Sequence, residues 1–276
     1  MGIRSNCSSR HGASDVSQES DVDPLVAAVS RWQERPLATY ALIPGGGGDP
    51  WEWHRLVPEL ATRGHDAIAV RLPAEDDTAG WSEYADTVVD AIGDRANVIL
   101  VAASMGGFTA PIVCSRRRVD LLVLLNAMIP MPGETFNAWG TNTGSGPGRR
   151  EYHASLGLSP AEAEDDAVIY YHDLPSKLRA EAKARTGKDQ SMTPLDQPWP
   201  LDSWPDVATR VLAGRHDRMF PLDFQRRVAR ERLAIDVDEI DGGHMVAMSN
   251  PAVLADRLEA YRLEVQGDGR DRAGRR

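Results

Sequence analysis

The sequence predicts an α/β fold in which a mostly parallel central sheet is covered by helices and interrupted by an inserted segment. Two observations carry this expectation. Short apolar runs of strand length alternate with stretches of helical length over residues 37–265, and glycines or reactive side chains follow the carboxyl ends of several of those runs. Strands buried on both faces of a parallel sheet read as continuous apolar runs, and an open α/β sheet gathers its functional groups at the carboxyl ends of its strands.

Taken in order, residues 1 to about 22 are rich in Ser, Asp and Arg with few apolar groups, which predicts a disordered segment. Asp23 to Arg35 adds one short helix, so 1–36 is read as an extension. The first strand, Leu37–Ile43, runs into Pro44-Gly45-Gly46-Gly47-Gly48. Those four glycines either let backbone approach a ligand closely or simply make a flexible turn. Helix Trp51–Thr62, strand Ala67–Val70 and helix Trp81–Ile92 follow. Asn97–Val101 is the next strand, Ala102–Gly107 a sharp turn, and Phe108–Cys114 a helix with Pro111 in or near its first turn. A further strand, Leu121–Leu125, precedes the interruption at 127–203, where Met128, Met131, Trp139, Tyr152, Tyr170, Tyr171 and Trp199 lie among Gly, Pro and charged residues. That stretch is either a cap over a pocket or a satellite core under long loops. Val207–Leu212 and Ile235–Ile240 are the last strands; the domain is read to residue 265 and 266–276 as a tail without structure.

Three segments carry chemistry. In Ala102-Ala103-Ser104-Met105-Gly106-Gly107 a serine stands between a buried strand and a helix, on a turn tight enough to require small neighbours. Taken alone, it is also compatible with a plain strand-to-helix turn. Gly214-Arg215-His216-Asp217 places Asp217 just past a strand end, and Gly242-Gly243-His244 delivers a histidine on a glycine loop. The order Ser, Asp, His is that of the α/β-hydrolase fold. A serine hydroxyl needs a neutral imidazole to take its proton and a carboxylate to hold that imidazole in the right tautomer; Ser104, His244 and Asp217 fill those roles. Backbone amides must also meet the developing oxyanion, and losing one such donor costs roughly 3 to 4 kcal/mol of barrier. Met105 supplies one and the glycine loop the other. His216 as base and Glu239 as acid are the weaker candidates.

Pro44-Gly45-Gly46 through Trp51-Glu52-Trp53, Ala102 through Gly107, Asp217 through Pro221, and Gly243-His244-Met245 together resemble the plant methylesterase and hydroxynitrile lyase family of α/β-hydrolases over residues 37 to 265. The resemblance implies Ser104, Asp217 and His244 as triad and Gly46 and Met105 as oxyanion donors. Two positions depart from the family's pattern: Pro44 stands where a histidine is usual, and Ala102 replaces the elbow glycine. Some lyases of the family carry a lysine directly after the catalytic histidine; here that residue is Met245, as in many of the esterases.

Composition fits an enzyme of this kind. At 276 residues, 42% hydrophobic and 26% charged, the chain suits one domain with an insertion. A net charge of -10 argues against a nucleic-acid partner, and no apolar stretch approaches the roughly 20 residues of a membrane span. The N-terminus lacks the apolar core of a signal peptide, and Asn6 stands where myristoylation at Gly2 requires Ser or Thr. Cys7 and Cys114 are not expected to pair, so a reducing cytoplasm is adequate. His54, His65, His153 and His172 show no metal-ligand spacing, and Asp165-Asp166 and Glu75-Asp76-Asp77 lack that of a calcium loop. The expected activity is cofactor-free hydrolysis of a small-molecule carboxylic ester, with a hydroxynitrile lyase or a non-catalytic ligand-binding receptor as alternatives on the same fold.

Overall fold

The computed structural model describes residues 37–185 and 190–273. The expected extension at 1–36, with its short helix, and Gly2, Asn6 and Cys7 lie outside the described residues.

Six parallel strands form one sheet in the order β2-β1-β3-β4-β5-β6: β1 Thr39–Ile43, β2 Asp66–Ala69, β3 Val98–Ala103, β4 Leu121–Leu125, β5 Thr209–Gly214 and β6 Val237–Ile240. Each was legible as an apolar or mixed run, and the period of two explains why. Along β1, Ala41 and Ile43 enter one core layer while Tyr40 and Leu42 enter the opposite one; Leu122 and Leu124 divide in the same way from Leu121, Val123 and Leu125 in β4.

Helices cover both faces. Helix α1 (Leu56–Thr62) and the last long helix pack one side through Leu56, Leu60, Leu254 and Leu258. On the other side lie α2 (Trp81–Ile92) and α3 (Gly106–Arg116), joined by Trp81 stacked on Phe108 with centroids 4.8 Å apart. The helix expected over Trp51–Thr62 is broken: a 3-10 turn, Pro50–Trp53, precedes α1. Asp49 caps that turn by accepting from Trp51 N at 3.1 Å, and Trp53 is fully buried, which turns the chain before α1 begins. Pro111 lies in the interior of α3, beyond its first turn.

Residues 127–203 leave the sheet after β4 and carry α4 (Phe136–Thr143), α5 (Ser145–Ser155), α6 (Pro160–Ala163), α7 (Asp166–Ile169), α8 (Ser176–Arg185) and α9 (Thr193–Asp196). Trp139 and Trp199 anchor this insertion in the main core, donating their ring N–H to Ile129 O and Phe108 O, each at 3.0 Å. After β5 come α10 (Leu222–Leu233), β6, α11 (Val246–Ser249) and α12 (Pro251–Ala273). Helix α12 corrects the boundary expected at 265: residues 266–273 continue the helix despite Gly267 and Gly269, each added residue extending a ladder already nucleated. Among the described residues no helix is long and apolar enough to cross a membrane.

Strand order sets the site. From β1 the chain moves outward to β2 and then returns to β3 on the other side of β1. The carboxyl ends of β1 and β3 therefore adjoin at the point where the order reverses, which is where an open sheet leaves a crevice.

Candidate active site

Ser104 occupies the turn between β3 and α3 with φ +48°, a conformation that costs a residue with a side chain of order 1 kcal/mol. Its neighbours hold it there. Ser104 N donates to Leu125 O at 3.3 Å, and Ser104 O accepts from Gly107 N at 3.2 Å and Met128 N at 2.9 Å. Both glycines are needed for this close approach: a Cβ on Gly106 would lie 2.8 Å from Pro44 O, and one on Gly107 only 1.9 Å from Met128 O. Gly107→Ala is thus expected to destabilise the protein by about 3 kcal/mol and to lower Tm by about 6 to 12 °C, as read by scanning calorimetry. Ala102 is fully buried within β3, and its methyl is accommodated there.

Asp217 follows β5 and is completely buried. Its Oδ1 accepts from Met219 N at 2.8 Å and Phe220 N at 3.0 Å; its Oδ2 lies 2.9 Å from His244 Nδ1 and accepts from Gln225 Nε2 at 3.3 Å. A carboxylate only accepts, so His244 presents Nδ1–H to Asp217 and leaves Nε2 as the acceptor. Ser104 and His244 line the same cavity of about 450 Å³. No hydrogen bond joins their side chains among the described residues; in ligand-free enzymes such bonds are often long and tighten only around substrate.

Gly46 and Met105 line this cavity too, and neither backbone amide has a hydrogen-bond partner among the described residues. Met105 immediately precedes α3, so its N–H sits at the positive end of an 11-residue helix dipole. The glycine loop is fixed on one side by Gly47 N donating to Gln190 Oε1 at 3.0 Å.

Two supporting residues were missed from the sequence. Asn126, at φ +46° directly after β4, donates to Gly243 O at 3.1 Å and His244 O at 3.0 Å, while its Oδ1 accepts from Gly214 N at 2.7 Å. It ties the ends of β4 and β5 to the histidine loop. Gln225 on α10 bridges Asp217, Asn126 and Phe220 O. A polar residue at the end of the apolar run Leu121–Leu125 was a signal for Asn126; nothing marked Gln225. The insertion also reaches the loop, since Asp173 Oδ2 accepts from Gly243 N at 2.7 Å.

The weaker candidates face elsewhere. His216 Nε2 lies 3.0 Å from Asp241 Oδ1 at the surface. Glu239 is paired with Arg215 at 3.0 Å and also with Arg226, and these hydrogen bonds hold its carboxyl below the usual range. His65 pairs with Glu259 at 2.9 Å, His153 with Arg218 O at 2.8 Å, and His54 stacks on Trp51. Burial lowers the His172 imidazole and raises the Cys114 thiol to about 12. Among the described residues no group of three or more His, Cys, Asp or Glu is placed to hold a metal ion.

The profile of the alpha/beta hydrolase family matches residues 41–257, from β1 into the last helix. The chain belongs to the alpha/beta hydrolase family. This α/β-hydrolase superimposes on polyneuridine aldehyde esterase at 18% identity and TM-score 0.60, covering 81% of this chain and 98% of that one. An extracellular α/β-hydrolase from a Paenibacillus species, described as homologous to tobacco salicylic acid binding protein 2, matches at 17% identity and TM-score 0.64 over 79% and 96% of the two chains. A pyrethroid hydrolase from Sphingobium faniae JZ-2 matches at 19% identity and TM-score 0.61 over 82% and 97%. At such identities the likeness is one of fold. No curated protein sequence matches the chain.

Proposed function

We infer that the protein is a serine hydrolase that cleaves a carboxylic ester through an acyl-enzyme. The observation that carries this reading is the buried Asp217–His244 pair, 2.9 Å apart, facing a cavity that also holds Ser104 on its elbow. In the reaction, Ser104 Oγ attacks the ester carbonyl while His244 Nε2 takes its proton. The amides of Gly46 and Met105 receive the charge that develops on the carbonyl oxygen. Collapse breaks the C–O bond, His244 protonates the departing alcohol, and a water activated by the same imidazole then releases the acid. Asp217 keeps Nδ1 protonated throughout. That similar structures include an esterase and a pyrethroid hydrolase agrees with this assignment.

Cyanohydrin cleavage on the same fold calls for a cation beside the departing cyanide. Met245, next to His244, is uncharged, and the described lining of the cavity contains no lysine. Its cation, Arg185, pairs with Asp49 at 3.4 Å. The expected result is hydrolysis of small aryl or methyl esters with little benzaldehyde release from mandelonitrile. Both are assayed on one preparation, and faster mandelonitrile cleavage than hydrolysis of every ester tried overturns the esterase assignment.

A further inference from the structure

One carboxyl in the cavity has no part in ester cleavage. Glu52, on the 3-10 turn between Trp51 and Trp53, lines the same cavity as Ser104 and His244. Its Oε2 lies 3.5 Å from Gly45 N, a long contact, and its Oε1 is buried with no partner. Buried carboxyl oxygens are normally satisfied, so Oε1 is an unmet acceptor beside the cavity, whose charge a bound cation would balance. The surroundings indicate its sign. Tyr170 and Tyr171 line the same cavity, with electronegative ring faces, and Tyr171 lies close enough to Glu52 to feel its charge; the Trp51 ring is already taken up by His54 and Arg185. Among the charged lining residues, Asp166 has no ion-pair partner among the described residues, while Arg185 is engaged by Asp49 and lies over the Trp51 ring at 5.1 Å. An anion would meet repulsion there, whereas a cation would gain a carboxylate and aromatic faces together.

We propose that Glu52 and the aromatic wall beside it receive an ammonium group of the substrate, so that the esters taken are amine-bearing ones. The substrate class rests on the ester hydrolase reading; the cation site itself does not.

Protonation makes such a site workable when empty. Burial pushes the Glu52 carboxyl up to about 8, with Asp49 adding to the rise, so at neutral pH no unpaired charge is buried. The other charged or titratable groups on this side of the cavity are Asp49, paired with Arg71 at 3.3 Å and with Arg185 at 3.4 Å, and Tyr171, which burial raises to about 12. A bound cation favours the ionised carboxylate, so binding at pH 7 releases a proton, and affinity rises as pH rises through about 8.

The test uses benzyltrimethylammonium, whose charge does not titrate, in calorimetry on the full chain. Expected are saturable binding, a Kd about tenfold tighter at pH 9 than at pH 7, and proton release at pH 7, seen as a dependence of the heat on buffer. In Glu52→Gln the Kd should weaken about tenfold at pH 9 and lose its pH dependence. Because the pH series uses the unaltered protein, the proposal can fail even if the variant does not fold. With matched esters, the preference in kcat/KM for a choline ester over its uncharged 3,3-dimethylbutyl isostere should collapse in Glu52→Gln. No saturable binding, or binding independent of pH and of Glu52, overturns the cation site. Cation binding without turnover of any ester leaves the site standing and sinks the hydrolase reading; turnover of both esters with no cation binding does the reverse.

Discussion

Ser104→Ala is expected to lower kcat/KM for ester hydrolysis by about 10⁵- to 10⁶-fold, the scale lost when a triad nucleophile is removed. The fold should survive. Alanine keeps the Cβ at the same strained φ of +48°, and the backbone bonds to Leu125, Gly107 and Met128 are untouched. Melting temperature should therefore stay within about 2 °C of the parent. Kinetics and calorimetry on the same preparation check both halves, and turnover within tenfold of the parent moves the nucleophile elsewhere.

Asp217→Asn is expected to reduce kcat by about 10⁴-fold through the tautomer of His244. The direction follows from the donors around the carboxyl. Two backbone amides, Met219 N at 2.8 Å and Phe220 N at 3.0 Å, point at Oδ1, whereas Oδ2 meets Gln225 Nε2 at 3.3 Å and His244. An asparagine therefore keeps its oxygen towards the amides and turns its NH2 towards His244. That group donates to Nδ1, the ring proton moves to Nε2, and the imidazole can no longer accept from Ser104. A variant that stays folded with kcat within tenfold of the parent contradicts the orienting role.

The central strands were legible because they are apolar on both faces, and β2 and β6 as mixed runs; Ser104, Asp217 and His244 could be picked out as candidates because each lies within a few residues of a strand end and of a glycine. What escaped depends on partners distant in the chain. Asn126 reaches groups 88 to 118 positions away, and only the assembled sheet brings Gly214, Gly243 and His244 around it. Glu52 was read only as part of a tryptophan pair, since the lack of a partner for Oε1 is a property of packing. The helix over Trp51–Thr62 breaks because Trp53 must enter the core, a tertiary demand that overrides local helical length. The insertion was least legible: α6, α7 and α9 are four residues each, too short for any periodic signal.

The central claim is that Ser104 is an activated nucleophile. A fluorophosphonate reacts only with a serine whose hydroxyl is deprotonated as it attacks and whose oxyanion is stabilised. Labelling the intact protein, followed by peptide mass spectrometry, is predicted to place one phosphonyl adduct on Ser104, with none on that peptide in Asp217→Asn under matched conditions. Absence of an adduct on the folded parent, or an adduct on a different residue, would contradict the account.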